Sequence, residues 1–289
     1  MSKLLRTEFA RLMKNKLFYF AMLIMFVLPI FCVVTRYMEM KEYPEIFAEL
    51  GSDYLSADGF LFVGSFYGII VVAVLLGYFI GTDYSYGTIR NKLIAGHKRV
   101  HIYLSSLIVC GMATMILNSI SVITILVVGG IAFGFALPVQ DILLLLAVAT
   151  LALICFAALY LLIVVVWASR SAGLASAILI GFLMIMAAMT IDNRLSASEY
   201  YSDIVVDGNT GELVELPPEK NRYYITGTKR KVYEALYDIL PSCQLYRLVR
   251  SDGLSGDVAE YVILMALSVV ETAGLSGIGI FIFSRKDLK

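Results

Sequence analysis

Six long apolar stretches dominate the hydrophobic pattern of the chain. Each provides close to the 20 apolar residues that an α-helix needs to cross a bilayer. Short polar segments separate them, except for one long segment before the last stretch. The pattern therefore predicts six membrane-spanning helices: Leu17–Thr35, Phe60–Ile80, Tyr103–Phe135, Ile142–Ala168, Ala172–Ile191 and Glu260–Phe283.

The composition favours the same class of protein. Of the 289 residues, 60% are hydrophobic and only 16% are charged, whereas about a quarter are charged in an average soluble domain. We therefore predict one all-α polytopic membrane domain over residues 1–289, with spans one to five within 17–191 and the last span at 260–283. The formal net charge is zero, so charge gives no reason to expect a nucleic-acid partner. The four cysteines are scattered, without the spacing of a disulfide framework or a metal site.

Lys and Arg are distributed unevenly between the two sides of the membrane. Residues 1–16, 81–102, 169–171 and 284–289 together carry 13 of them. The opposite segments carry 10, and 8 of these fall in the loop 192–259. The positive-inside rule discounts a loop of that length. We therefore predict that both termini are cytoplasmic.

Residues 1–16 are predicted to form an amphipathic interface helix. Leu5, Phe9, Leu12 and Met13 recur at helical spacing, with Lys and Arg around them. Such a helix lies on the membrane surface with its cations toward anionic headgroups. It serves either as a positive anchor that fixes the topology or as an element that contacts a partner protein.

The segment 192–259 is the longest region predicted outside the membrane. Two β-prone runs flank Gly208–Gly211 and predict a hairpin. A helix with one apolar face follows, formed by Val232, Ala235, Leu236, Ile239 and Leu240. Pro241 breaks this helix, and a second short helix continues after it. We expect this outer helical pair to pack at the membrane surface or to dip into it.

A short basic segment, "GTDYSYGTIRNKLIAGHKR", separates the second and third spans. Thr88 is predicted as the N-cap of a helix whose apolar stripe is formed by Ile89, Leu93 and Ile94, and Gly96 suits the left-handed position after it. A helix of about two turns is marginal in water and needs something to pack against. The alternative interpretation is an ordinary positive cytoplasmic loop.

This segment resembles the cytoplasmic loop of ABC-2-type permeases, the membrane subunits of ATP-binding-cassette exporters. The shared features are an acid at the end of the second span, a Gly-Thr pair and a short apolar-basic helix. The chain plan is similar too, with an N-terminal amphipathic helix, six spans and an outer helical pair. The resemblance implies that the loop contacts an ATPase subunit and transmits its closure to the spans. The matching positions are Asp83, Gly87, Thr88, Ile89, Arg90, Asn91, Lys92 and Leu93.

The sequence contains no G-x-x-x-x-G-K-[ST] phosphate loop, so we do not expect this chain to bind ATP in the P-loop manner. We predict a transport subunit with no catalytic residue, metal site or cofactor of its own, whose partner ATPase binds ATP and Mg²⁺. The resemblance further implies a bacterial plasma membrane, surrounding lipid, a second permease copy, identical or different, and export. Amphipathic peptides are the expected cargo by analogy with similar bacterial exporters of peptides, toxins and bacteriocins.

A carboxylate, Glu271, lies near the middle of the last predicted span, with Ser268 and Thr272 beside it. A charge at bilayer depth is costly and needs a cavity, a partner or another span. Glu271 is therefore either structural, at a dimer seam, or part of the transport pathway. Two other functions stay open: an ion-coupled secondary transporter that uses Glu271, and a non-transporting membrane sensor whose outer loop binds a ligand.

Overall fold

The computed structural model describes residues 1–44, 56–202, 204–206, 213–215, 217–250 and 258–286. These residues form ten α-helices, a 3-10 turn at Ala57–Phe60 and four short strands. The helices are α1 (Ser2–Met13), α2 (Lys16–Glu42), α3 (Val63–Ser85), α4 (Thr88–Ile94), α5 (Arg99–Phe133), α6 (Val139–Trp167), α7 (Arg170–Leu195), α8 (Gly227–Ile239), α9 (Pro241–Arg247) and α10 (Val258–Arg285).

The strands follow α7 and pair as two antiparallel ladders. They are β1 (Tyr200–Tyr201), β2 (Ile204–Val206), β3 (Leu213–Glu215) and β4 (Glu219–Lys220). β2 pairs with β3, and β1 pairs with β4. The predicted hairpin is therefore present, although its predicted turn at Gly208–Gly211 lies outside the described residues.

Six helical segments are long and apolar enough to span a membrane. They are α2, the segment Ala57–Ser85 that includes the 3-10 turn and α3, and the helices α5, α6, α7 and α10. The six predicted spans and the all-α polytopic class are thus confirmed. Several helices continue beyond the predicted apolar ends. α2 extends past Thr35 to Glu42, and α5 begins at Arg99 rather than Tyr103. Gly134 follows the end of α5 with φ +73°, a backbone angle that favours glycine.

α3 and α6 form the centre of the bundle. In their most apolar stretches 61% and 56% of the residues are buried, whereas the value is 22–28% for α2, α7 and α10. α3 packs on α7, α6 on α10 and α2 on α5. Gly77 and Gly81 permit the close approach of α3 to α7, because a Cβ added at Gly81 would lie 2.8 Å from the Cα atom of Arg170.

α8 and α9 are the predicted outer helical pair. Leu240 is extended and Pro241 is the first residue of α9, so the predicted break is confirmed. The Ser268 hydroxyl of α10 donates a hydrogen bond to Gln244 Oε1 of α9, at 2.7 Å, and both side chains are fully buried. Ser268 lies about 15 Å along the axis of α10 from its first residue. α9 therefore sits among the spans rather than on their outer surface.

The predicted apolar face of α8 is turned away from the rest of the chain. Val232, Leu236 and Ile239 are exposed, whereas Tyr237 contacts the core. The Tyr237 hydroxyl donates to Asp192 Oδ1 at 2.9 Å, and burial raises the pKa of this tyrosine. The pattern identified an apolar side of α8, but aromatic rings with a polar tip form the inner side.

Candidate functional site: a buried ion cluster

Four charged side chains from three helices meet in a buried cluster at one end of the bundle. Glu8 and Arg11 belong to α1, Asp83 to α3 and Lys92 to α4. The carboxylates are almost completely buried, with 1% of Glu8 and 2% of Asp83 exposed. The four residues, called the ion cluster below, carry two negative and two positive charges and are neutral as a set.

Each acid in the ion cluster contacts both bases. Arg11 Nη2 lies 2.9 Å from Glu8 Oε2, and Lys92 Nζ lies 3.0 Å from Asp83 Oδ2. Arg11 also pairs with Asp83, and Lys92 also pairs with Glu8. The charges thus alternate around a closed ring, so that removing any one of them leaves both of its neighbours with one partner fewer.

Helical spacing brings these groups together. Glu8 and Arg11 are three residues apart and therefore share one side of α1. Phe79 precedes Asp83 by one turn of α3, and the guanidinium of Arg11 lies over its ring, 4.1 Å from the centroid. Arg11 is thus fixed by an acid of its own helix, an acid of α3 and an aromatic face of α3.

Burial has a clear electrostatic effect on the two cations. Loss of hydration lowers the pKa of Arg11 and that of Lys92, while the nearby Glu8 carboxylate opposes this shift in both cases. Removing one charge from a buried ion pair leaves its partner buried and uncompensated. This destabilises the fold much more than replacing all the charged residues with apolar ones. The cluster therefore joins α1, α3 and α4 as one unit.

The short helix α4 has one anchored side and one exposed side. Ile89 is buried and Lys92 reaches into the ion cluster. Arg90 and Ile94, four residues apart on α4, are exposed, with 79% of Ile94 accessible; Tyr86, just before the start of α4, is 73% accessible. The protein itself supplies the packing that such a short helix needs, and a second face of α4 stays accessible.

Two predicted details of this segment are wrong. Gly87, with φ +65°, is the N-cap, and Thr88 is the first helical residue without a side-chain cap, because this left-handed angle favours glycine. Ile94 does not share the buried stripe of Ile89, since residues five apart point about 140° away from each other around a helix. The left-handed Gly96 is confirmed, with φ +84°.

α1 packs on α5 in the same region. The predicted apolar positions all contact the core: Leu5, Phe9, Leu12 and Met13. The expectation that the cations of this helix face lipid headgroups is wrong for Arg11, which turns inward to the acids. The pattern also missed Glu8, which is buried because Arg11 and Lys92 neutralise it.

Glu271 lies where α10 packs against α6. Its side chain is half-buried, and Oε2 accepts a hydrogen bond from the Cys155 thiol at 3.4 Å. The Thr272 hydroxyl donates to the backbone oxygen of Ser268, whose own hydroxyl bonds to Gln244. Within the described ranges no Lys or Arg forms a salt bridge with Glu271. A role for these residues at a dimer seam or pathway stays a prediction.

A second polar contact joins helix ends close to the start of α5. Arg99 donates to the backbone oxygens of Phe283, at 2.9 Å, and Lys286, at 2.5 Å. Lys286 Nζ in turn donates to the carbonyls of Val165, at 2.8 Å, and Val166. Burial lowers the pKa of Lys286. These bonds satisfy carbonyls at the ends of α6 and α10 and join both helices to α5.

Residues 4–189 match the sequence model of a family described as ABC-2 family transporter protein. The match covers more than half of the chain and includes every member of the ion cluster. The chain belongs to this family. The comparison with curated proteins found no match.

Membership of the ABC-2 family confirms the resemblance found in the loop segment. The protein is a multi-pass membrane component of a transport system. Permeases of this family normally work with an ABC ATPase and generally lack an ATPase site of their own. The ion cluster thus lies in an ABC-2 permease, between the N-terminal helix and the loop that sequence analysis assigned to ATPase contact.

Proposed function

We propose that this ABC-2 protein is the permease subunit of an exporter, that it works as a dimer, and that a separate ATPase binds to α4 and α1. The ion cluster is the observation that carries the proposal. It joins a short helix with an exposed face to the N-terminal helix and to the end of a central span. A partner bound to α4 would therefore act directly on the bundle.

The exposed face of α4 suits a protein partner. Arg90 and Ile94 present a guanidinium and an aliphatic side chain on one side of this helix, and the exposed ring of Tyr86 lies just before its start. Tyr and Arg are enriched among the residues that dominate protein–protein binding energy. We infer a partner surface with an apolar groove for Ile94 and a carboxylate for Arg90.

Closure of the ATPase on binding ATP would move α4, α3 and α1 together. Pulling Lys92 out of the ion cluster would leave Glu8 and Asp83 buried with a single cation, which costs several kcal/mol. α3 in turn contacts α7 through Gly77 and Gly81. We propose that this motion switches the dimer between inward and outward access, because the ATP-bound partner contacts the two states differently. ATP and Mg²⁺ belong to the ATPase in this scheme.

We further propose that the ion cluster faces the cytoplasm of a bacterium and that the cargo is an amphipathic peptide. The orientation is supported by the Lys and Arg of the short segments 1–16, 81–102 and 284–286, which lie on this side of the bundle. The cargo rests on analogy with peptide exporters. Transport of a fluorescent peptide into inverted vesicles, compared with a fluorescent lipid, tests this choice.

The first experiment is purification of the tagged chain in mild detergent from its native host, with mass spectrometry and an ATPase assay. We expect an ABC ATPase to co-purify with the wild-type chain. The ATPase should be absent from preparations of the variants Arg90→Glu and Ile94→Glu. Lys229→Glu, which changes an exposed cation of α8, is the matched control and should retain it.

Other outcomes would refute the proposal. A chain that purifies alone and transports cargo on an ion gradient, with loss of activity in Glu271→Gln, would identify a secondary transporter. Ligand binding by the purified protein without any cargo movement would identify a sensor. Retention of the ATPase by both α4 variants would exclude α4 as its docking surface.

A further inference from the structure

A cavity of about 620 Å³ opens between α3 and α7. Ser85, the last residue of α3, and Ser169, Arg170 and Ser171 at the start of α7 line its polar part. These residues lie at the end of the bundle that holds the ion cluster, since Asp83 precedes Ser85 by two positions. The cavity is separate from the ion cluster and from the exposed face of α4.

The apolar part of the same cavity follows α7 into the bundle. Leu174, Ala175 and Ile178 line it. Ile178 lies about 12 Å along the helix axis from Arg170, at 1.5 Å per residue. The cavity therefore changes from hydroxyls and a cation at the membrane surface to aliphatic side chains at hydrocarbon depth.

Arg170 is held in place but has no acidic partner among the described residues. Its guanidinium carbon lies 4.1 Å from the centroid of the Tyr78 ring, and its Cα atom sits against Gly81. Two buried cations at the same end of the bundle, Arg11 and Lys92, are instead paired with carboxylates. Arg170 is thus an oriented positive charge that is available to an anion in the cavity.

We propose that this cavity binds an anionic phospholipid, with the phosphate on Arg170 and an acyl chain along Leu174, Ala175 and Ile178. A guanidinium offers two parallel N–H donors to a phosphate, and serine hydroxyls add further donors. A soluble phosphate shares the headgroup chemistry but would leave the aliphatic part unused. The bilayer next to α7 supplies a ligand that fits both parts.

The position of the site suggests what the lipid does. Arg170 packs on Gly81, which is two residues from Asp83 of the ion cluster in α3. A bound lipid would contact α3 and α7 together and hold the two helices close to the ion cluster. This inference concerns the lipid alone and does not depend on the cargo or on the ATPase.

The test is native mass spectrometry of the full-length protein in detergent with added phosphatidylglycerol or phosphatidylcholine. We expect Arg170→Gln to weaken phosphatidylglycerol binding about fivefold, the effect of one cation near a membrane surface. Phosphatidylcholine binding should change less. Arg285→Gln is the matched control, because Arg285 also ends a span and stacks on an aromatic ring, at 4.2 Å from Phe281. Equal phosphatidylglycerol binding by Arg170→Gln and wild type would overturn the proposal.

A second variant separates lipid from soluble phosphate. Ala175→Trp fills the apolar part and leaves Arg170 intact, so it should also lose phosphatidylglycerol. The lipid proposal would be overturned by two results together: inorganic phosphate displaces phosphatidylglycerol from wild type at equal concentration, and phosphate binds Ala175→Trp with the same affinity as wild type. These results would show a site for a soluble anion. Where Arg170→Gln does not fold as wild type, Ser171→Glu places a negative charge at the exposed rim and should give the same loss.

Discussion

The neutrality of the ion cluster leads to a specific prediction about pairs of substitutions. Glu8→Gln leaves two buried cations with one acid, and Lys92→Met leaves two buried acids with one cation. The double variant returns to one charge of each sign, with Arg11 still paired to Asp83. We therefore expect the double variant to be more stable than the sum of the two single effects predicts.

The geometry sets the size of the effect. Unit charges 3.0 Å apart, as for Lys92 and Asp83, attract by about 5 kcal/mol at an effective dielectric constant near 20. Desolvation of several kcal/mol per ion offsets most of this attraction in the intact cluster. Removing one partner leaves the other charge buried, at a cost of about 3–5 kcal/mol. The lower end applies here because 29% of the Arg11 side chain is exposed.

Thermal unfolding in detergent, followed with a thiol-reactive dye, measures these effects. Cys110, Cys155 and Cys243 are buried, so they react only when the fold opens. A loss of about 3 kcal/mol lowers the melting temperature by about 6–12 °C in a protein of this size range. Arg230→Gln is the control, because Arg230 forms a largely exposed helix pair with Glu234 at 3.0 Å, worth less than about 1 kcal/mol.

We expect each single variant to melt at least about 6 °C below wild type, and a coupling energy of about 2 kcal/mol or more to be recovered in the double variant. Strictly additive losses would refute the argument that the four charges act as a neutral set. Single variants that melt like Arg230→Gln would show that water, rather than the partner charges, solvates the cluster.

Three further predictions concern packing and topology. Gly81→Ala should cost about 1–3 kcal/mol through overpacking, since its Cβ would lie 2.8 Å from the backbone of α7. Gly274→Ala has open space around it and should be neutral; equal melting temperatures of the two variants would contradict this reading of the glycine contact. Asn118→Ala removes hydrogen bonds to α3 and α6 and should cost about 0.6–1.7 kcal/mol, more than Thr190→Val, whose hydroxyl donates to the Met186 carbonyl of its own helix. A cysteine at Ser202 should react with an impermeant maleimide in intact cells, and labelling only after lysis would reverse the proposed orientation.

The spans could be predicted from sequence because bilayer thickness sets their length and lipid requires their apolar surface. Their ends could not, because a helix continues into the polar region wherever its backbone bonds are satisfied. α2 illustrates this, since it runs on through Arg36 and Glu39 to Glu42. The exposure of the apolar face of α8 could not be predicted either. The hydrophobic pattern shows that a helix has an apolar side, but not whether that side packs against the rest of the protein.

The candidate site was half predictable. Asp83 and Lys92 are part of the loop motif, whereas Glu8 and Arg11 entered only with the structure. One local signal was present: Glu8 stands midway between Leu4 and Leu12 at four-residue spacing, so it faces the same side as two leucines. A charge in an apolar stripe indicates a buried partner. The sequence does not say which partner, because the acids and bases of α1 meet residues that are more than 70 positions away.

Taken together, the contacts at this end of the bundle reach nearly every span. The ion cluster joins α1, α3 and α4; Arg99 and Lys286 join α5, α6 and α10; and Gly81 fits α3 against α7. Toward the opposite end, buried α9 contacts α3, α6 and α7 and bonds to α10. Under the proposed function, a partner that displaces α4 would therefore move the helices as linked rigid bodies rather than bend single spans, because the hydrogen bonds and ion pairs at this end, and the buried Ser268–Gln244 bond at the other, resist separation of neighbouring helices.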